Sequence, residues 1–129
     1  MATTIEYALL AGASYYDTRF AINRFPLPQN WSYVSRAQQD LTTGFEASAF
    51  TNGSETVISY AGTGTAIDWL ANAGLAAGTG SAQLLQAAEY YLQVKATGAN
   101  ITLTGHSLGG GLAALIGVFF GVEAKTFDQ

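Results

Sequence analysis

The sequence contains no cysteine and a single histidine. The first absence excludes disulfides, thiol catalysis and cysteine-ligated zinc, and the second leaves too few imidazoles for a histidine-based metal cluster. No metal site and no cofactor are expected. Charge is sparse as well: 11% of the residues are charged, the five Lys and Arg are scattered, and the formal net charge is −4. Nucleic-acid binding needs a basic patch, so a nucleic-acid partner is excluded. No stretch approaches the roughly 18–20 successive apolar residues of a membrane span, so an integral membrane protein is not expected. The first residues, MATTIEYALLAGASYYDT, lack the basic start and sustained apolar centre of a cleavable signal peptide. The expectation is a soluble protein which, if secreted, does not use such a signal.

What is present is a chain of 129 residues, 49% of them hydrophobic, with fifteen glycines and two prolines. That composition suits one globular domain with its own core and many close backbone turns.

Residues 4–17 carry Ile5, Ala8, Leu9 and Ala13 at helical spacing. Residues 18–34 hold both prolines and read as a long loop, and 36–43 are polar and ambiguous. Residues 45–51 and 56–61 are β-like runs joined through Asn52-Gly53, a strong hairpin signal. Val57, Ile58 and Tyr60 make the second run apolar on both faces, as in a buried strand. A helical pattern starts at Asp68. Residues 81–97 predict a longer helix with a stripe of Leu84, Leu85, Ala88, Tyr91 and Leu92, and with Gly98 at its C-terminal cap. A strand over 101–104, a helix over 108–120 and a strand over 124–127 complete the order. Strands alternating with helices imply parallel pairing through crossovers, with one hairpin attached, in an α/β sheet covered by helices.

The chemistry centres on ITLTGHSLGGGLAALIG, residues 101–117. A serine between two glycines, after a strand and before a helix, suits a sharp turn that thrusts a hydroxyl clear of the backbone. Such a turn packs Gly105 against Gly109, where a side chain would force it open. The Leu108 N–H then lies at a helix start, aimed where an oxyanion would form and helped by the helix dipole. A second donor normally follows an earlier strand, and in SYAGTGTAIDWL the candidate is Thr63. The same stretch faintly suggests a dinucleotide loop, but Ile67 stands where the third glycine or alanine belongs.

GHSLGGGLAAL, with an upstream strand ending in AGT and followed by DWL, resembles the class 3 (fungal-lipase-like) lipases of the α/β-hydrolase superfamily. The likeness covers residues 56–128 and corresponds to the N-terminal half of that fold, to just past the nucleophile elbow. It implies a partial α/β-hydrolase sheet, mostly parallel with one hairpin, flanked by helices, with residues 1–129 as a single incomplete domain. It implies Ser107 as the catalytic nucleophile of a carboxylic ester hydrolase, Thr63 and Leu108 as the oxyanion hole, and an ester or lipid substrate. Gly105, His106 and Gly109 become structural residues of the elbow, and Asp68 a structural residue at a helix start. Ala61 departs from the family's usual arginine.

A serine hydroxyl needs an adjacent base, and His106 directly precedes the serine, where neighbouring side chains point apart. The family's histidine comes well downstream. Asp128 is the candidate acid within the chain, although the family's acid usually lies later. The triad therefore calls for a downstream segment or a second chain, and association with complementary polypeptide or self-association is expected. Two functions stand at this point: a serine lipase or esterase, and a catalytically incomplete hydrolase-like binding or assembly module.

Overall fold

The computed structural model describes residues 2–13, 27–37, 45–61, 79–106 and 108–127. In chain order these form α1 (Thr4–Ala13), β1 (Ser32–Arg36), β2 (Glu46–Thr51), β3 (Thr56–Ala61), α2 (Thr79–Lys95), β4 (Ile101–His106), α3 (Leu108–Phe120) and β5 (Ala124–Phe127). The five strands make one sheet in the order β1-β2-β3-β4-β5. The fold is α/β, as the sequence implies, but the pairing is evenly mixed rather than mostly parallel. β1–β2 and β2–β3 are antiparallel, and β3–β4 and β4–β5 are parallel. Parallel pairing begins only where α2 supplies a crossover.

The β2–β3 hairpin turns as its sequence requires. Gly53 has φ of 100°, a conformation open to glycine at no steric cost. The Asn52 side-chain oxygen accepts from the Ser54 and Glu55 amides at 3.0 and 2.9 Å, and the Asn52 amide donates to the Glu55 carbonyl at 3.3 Å, so side chain and backbone close the turn together. Strand β3 is buried on both faces, as expected. Ile58 and Tyr60 enter a core with Leu103, Leu112, Ile116 and Tyr91, whereas Val57 joins Tyr7, Leu10, Trp31 and Phe50. Period-two alternation thus divides the core, with α2 and α3 over one face and α1 over the other.

Two expectations are corrected. Ser32–Arg36 lies within and just after the predicted loop, yet it is an edge strand paired to β2. Its first three residues are exposed and its register shifts between Tyr33 and Ser35, so no clean alternation marks it. In α2 the predicted stripe holds at Tyr91, which is buried, and at Leu84 and Ala88, which pack against the core, but Leu85 and Leu92 are 62% and 53% exposed and the buried face runs through Gln83, Ala87, Tyr90 and Val94 instead. That face is tied to the sheet at two points: the Tyr90 hydroxyl donates to the Ser35 carbonyl at 2.9 Å, and the Ala87 carbonyl accepts from the Tyr60 hydroxyl of β3 at 2.9 Å. The predicted cap at Gly98 is present, with φ of 83° and its amide bonded to the Lys95 carbonyl.

Helix α1 opens with a reciprocal cap: the Glu6 amide donates to Thr3 Oγ1 at 3.1 Å, and the Thr3 amide to Glu6 Oε1 at 2.8 Å. The other Glu6 oxygen accepts from the Trp31 indole at 2.6 Å. Glu55, buried at the start of β3, gathers three donors: the Ala2 amide at 2.9 Å, the Tyr7 hydroxyl at 2.9 Å and the Thr102 hydroxyl at 2.8 Å. One carboxylate thus joins α1, β3 and β4. The predicted helical pattern from Asp68, and residues 14–17 of the predicted first helix, lie outside the described residues. Among the described residues, no helix is long and apolar enough to cross a membrane.

Candidate active site

Strands β3 and β4 are parallel, so their C-terminal ends share one edge of the sheet, with Tyr60 opposite Gly105. β4 ends at His106 and α3 begins at Leu108. A single position, that of Ser107, separates them. So abrupt a change from strand to helix requires close backbone contact on either side, and the glycines provide it. A Cβ added to Gly105 would overlap the carbonyl group of Gly109 and lie 2.7 Å from the Gly110 nitrogen. A Cβ added to Gly109 would overlap the Tyr60 carbonyl oxygen and lie 2.7 Å from its carbon and 3.0 Å from Ala61 Cα. Three pieces of backbone therefore converge: the end of β3, the end of β4 and the first turn of α3. The approach of Gly105 to Gly109 was legible in the motif. The contact of Gly109 with Tyr60 was not, because it joins segments far apart in the chain.

The electrostatics follow from the helix start. Amides in a first helical turn have no intrahelical acceptor, and the aligned peptide dipoles place partial positive charge there. The Leu108 backbone occupies that turn. Alternation along β4 sends residues 105 and 106 to opposite faces: Gly105 lies against α3, while His106 is exposed and paired in register with Phe127. Tyr60 anchors the neighbouring strand end through its bond to Ala87, and burial pushes its phenol far above the ordinary range. Ser107, Thr63 and Asp128 lie outside the described residues, as does Asp68. The junction thus brings together Gly105, His106, Leu108 and Gly109 from the motif, with Tyr60 and Ala61 beside them. A strand end and a helix start in this arrangement can direct amide donors at an anion formed between them.

An apolar groove of about 470 Å³ runs between α2 and α3, lined by Leu84, Leu85, Leu115, Val118 and Phe119 among others. Leu115 to Phe119 lie roughly 10–16 Å along α3 from Leu108, at 1.5 Å rise per residue. The groove is therefore remote from the junction.

Comparison with known proteins agrees with the likeness read in the sequence. The family model for the phospholipase-like, Tle-like phospholipase domain matches residues 6–129. The extracellular phospholipase A1 of Serratia liquefaciens is 39% identical over 90 residues, which is 69% of this chain and 28% of that protein. The crystal structure of Lip2 lipase from Yarrowia lipolytica superposes with a TM-score of 0.55 at 17% identity, over 94% of this chain and 54% of the lipase. That likeness is one of fold. The chain thus spans about a quarter of the length of its bacterial relative and about half of the yeast enzyme.

Proposed function

Because the chain belongs to the Tle-like phospholipase domain family, we propose that it carries the nucleophile half of a serine-dependent phospholipase, a carboxylic ester hydrolase that works through an acyl-serine. The observation that carries the reading is the junction at residue 107: one residue between β4 and α3, closed by Gly105 and Gly109 at separations no side chain would permit. The relative named as an extracellular phospholipase A1 supports an acyl ester of a phospholipid as the substrate.

Ser107 Oγ attacks the ester carbonyl carbon as its proton passes to a base. The carbonyl oxygen becomes an oxyanion held by the Leu108 N–H and by Thr63, and the helix dipole favours that charge. Collapse of the intermediate breaks the ester C–O bond, and the leaving alkoxide takes up the proton to depart as a lysophospholipid. Water then attacks the acyl-serine, and the fatty acid leaves. Alternation along β4 turns His106 away from α3, so the base is assigned to a histidine from a downstream segment or a second chain. The acid comes from the same source, or is Asp128 if that residue reaches the base.

The test is labelling by a fluorophosphonate ester with the site mapped by mass spectrometry. Modification of Ser107 that disappears in Ser107→Ala is the expected result. A folded protein whose Ser107 stays unmodified both alone and with the downstream segment that carries the base added, with phospholipid cleavage absent as well, would overturn the proposal in favour of a hydrolase-like binding module.

A further inference from the structure

The turn between β2 and β3 carries reactive groups at the edge of the sheet away from the junction at residue 107. The chain has asparagines at 23, 30, 52, 72 and 100, and only Asn52 is followed by glycine. Asn30 and Asn100 precede Trp31 and Ile101, whose bulky side chains crowd the backbone nitrogen that follows each asparagine. The Gly53 nitrogen has no such shield. Gly53 is exposed, and nothing beyond its chain neighbours lies within 4 Å of the place a Cβ would take.

Three donors converge on the Asn52 carboxamide oxygen: the Ser54 amide at 3.0 Å, the Ser54 hydroxyl at 3.2 Å and the Glu55 amide at 2.9 Å. Donors aimed at a carbonyl oxygen hold the charge that an attacking nucleophile places on it. The neighbouring nitrogen has an acceptor as well. The Gly53 amide donates to Thr51 Oγ1 at 3.1 Å, while the Thr51 hydroxyl donates its own hydrogen to the Glu55 carbonyl at 2.9 Å.

We infer that Asn52 is a site of self-modification, whose conversion to aspartate and isoaspartate is assisted by the folded turn. The Gly53 nitrogen bonds to Asn52 Cγ and passes its proton to solvent by way of Thr51 Oγ1. The carbonyl electron pair moves onto Oδ1, under the three donors. Its return breaks the Cγ–Nδ2 bond, and Nδ2 takes up a proton and leaves as ammonia. One water then opens the cyclic imide, at Cγ to give aspartate or at the Asn52 backbone carbonyl to give isoaspartate. Isoaspartate adds a methylene to the main chain between β2 and β3. That displaces Glu55, the buried carboxylate that joins α1, β3 and β4. The inference is independent of the reading of Ser107.

The test incubates the whole chain at mildly alkaline pH, folded and in urea, and follows each asparagine by peptide mass mapping. Enzymatic methylation of isoaspartate distinguishes the two products. In the folded protein Asn52 should convert ahead of Asn30 and Asn100, and conversion should be slower in urea, where the donors are lost. Ser54→Ala, at an exposed position, should keep the fold and slow conversion by about 2–12-fold, the worth of one neutral hydrogen bond. The same substitution should have no effect in urea. Conversion in urea that is as fast as in the folded chain, or faster, overturns the inference, because the turn then gives Asn52 no assistance. A folded Ser54→Ala protein that converts at the wild-type rate, or an equal slowing in urea, overturns it too.

Discussion

Replacing Glu55 probes the point at which α1, β3 and β4 are tied together. The side chain is 6% exposed and accepts from the Ala2 amide and from the hydroxyls of Tyr7 and Thr102, which are 1% and 7% exposed. In Glu55→Gln the remaining carbonyl oxygen can serve both hydroxyls, while the new amide group faces the Ala2 N–H. Hydrogen bonds to a charged group contribute about 1.5–3 kcal/mol against about 0.5–1.5 for neutral ones. Two weakened bonds and one lost bond sum to about 3 kcal/mol. In Glu55→Leu both buried hydroxyls are stranded, at about 1–3 kcal/mol each, so about 4 kcal/mol is expected. For a domain of this size each kcal/mol moves the melting temperature by roughly 4 °C, giving shifts of about 12 and 16 °C. Urea and thermal unfolding followed by circular dichroism would measure both. The decisive measurement is a cycle with Tyr7→Phe, which destabilises the wild type but should restore about 1–2 kcal/mol in Glu55→Leu, where it removes a stranded group. Strict additivity of the two substitutions would refute the reasoning.

Three further outcomes are expected. Leu103→Ala, at a fully buried position on β4, an interior strand of the sheet, should cost about 2–5 kcal/mol in urea unfolding, because that packed site cannot collapse. The Thr3 amide, and next the Trp31 indole, hold the Glu6 carboxyl below its ordinary value of 4.5. Its contribution is therefore present above that value and lost as pH falls through the lowered one, so melting scans from neutral to acid pH should fall more steeply for the wild type than for Glu6→Gln. Burial pushes the Tyr7 phenol from 10.0 up to about 12. The stability this confers is complete below pH 10 and lost as pH rises toward 12, so Tyr7→Phe should show the shallower alkaline decline, with phenolate absorbance reporting the titration.

The parts of the fold that could be read from the sequence are those whose signals are local. Asn52-Gly53 encodes its own turn, and Asn52 satisfies the turn amides with its own side chain. β3 carries Val57, Ile58 and Tyr60 on its two buried faces, and Gly98 caps α2 from within the same few residues. The strand β1 was missed because its pairing comes from β2 and its outward residues are polar or exposed. Leu85 and Leu92 of α2 were misjudged for a similar reason. A stripe of leucines is the stronger local signal, but Tyr60 and Ser35, distant in sequence, reward Ala87 and Tyr90 instead. At the site, the serine's setting was legible in its two glycines. The seating of Gly109 on Tyr60 and the ties at Glu55 were not, since each is made by residues from separate elements.

The mixed pairing of the sheet carries a consequence for assembly. Thr51 faces Thr56 across a tight turn, whereas the other neighbour of Thr56 is Ile101, beyond the whole of α2. Contacts so unequal in chain separation form at unequal rates. The hairpin should therefore close early and wait, with Val57, Ile58 and Tyr60 presented along an uncovered border until β4 arrives. Pulse-labelling during refolding should find the hairpin amides guarded before those of β4. Crowded or concentrated refolding should lose material during that interval, as waiting hairpins find one another first.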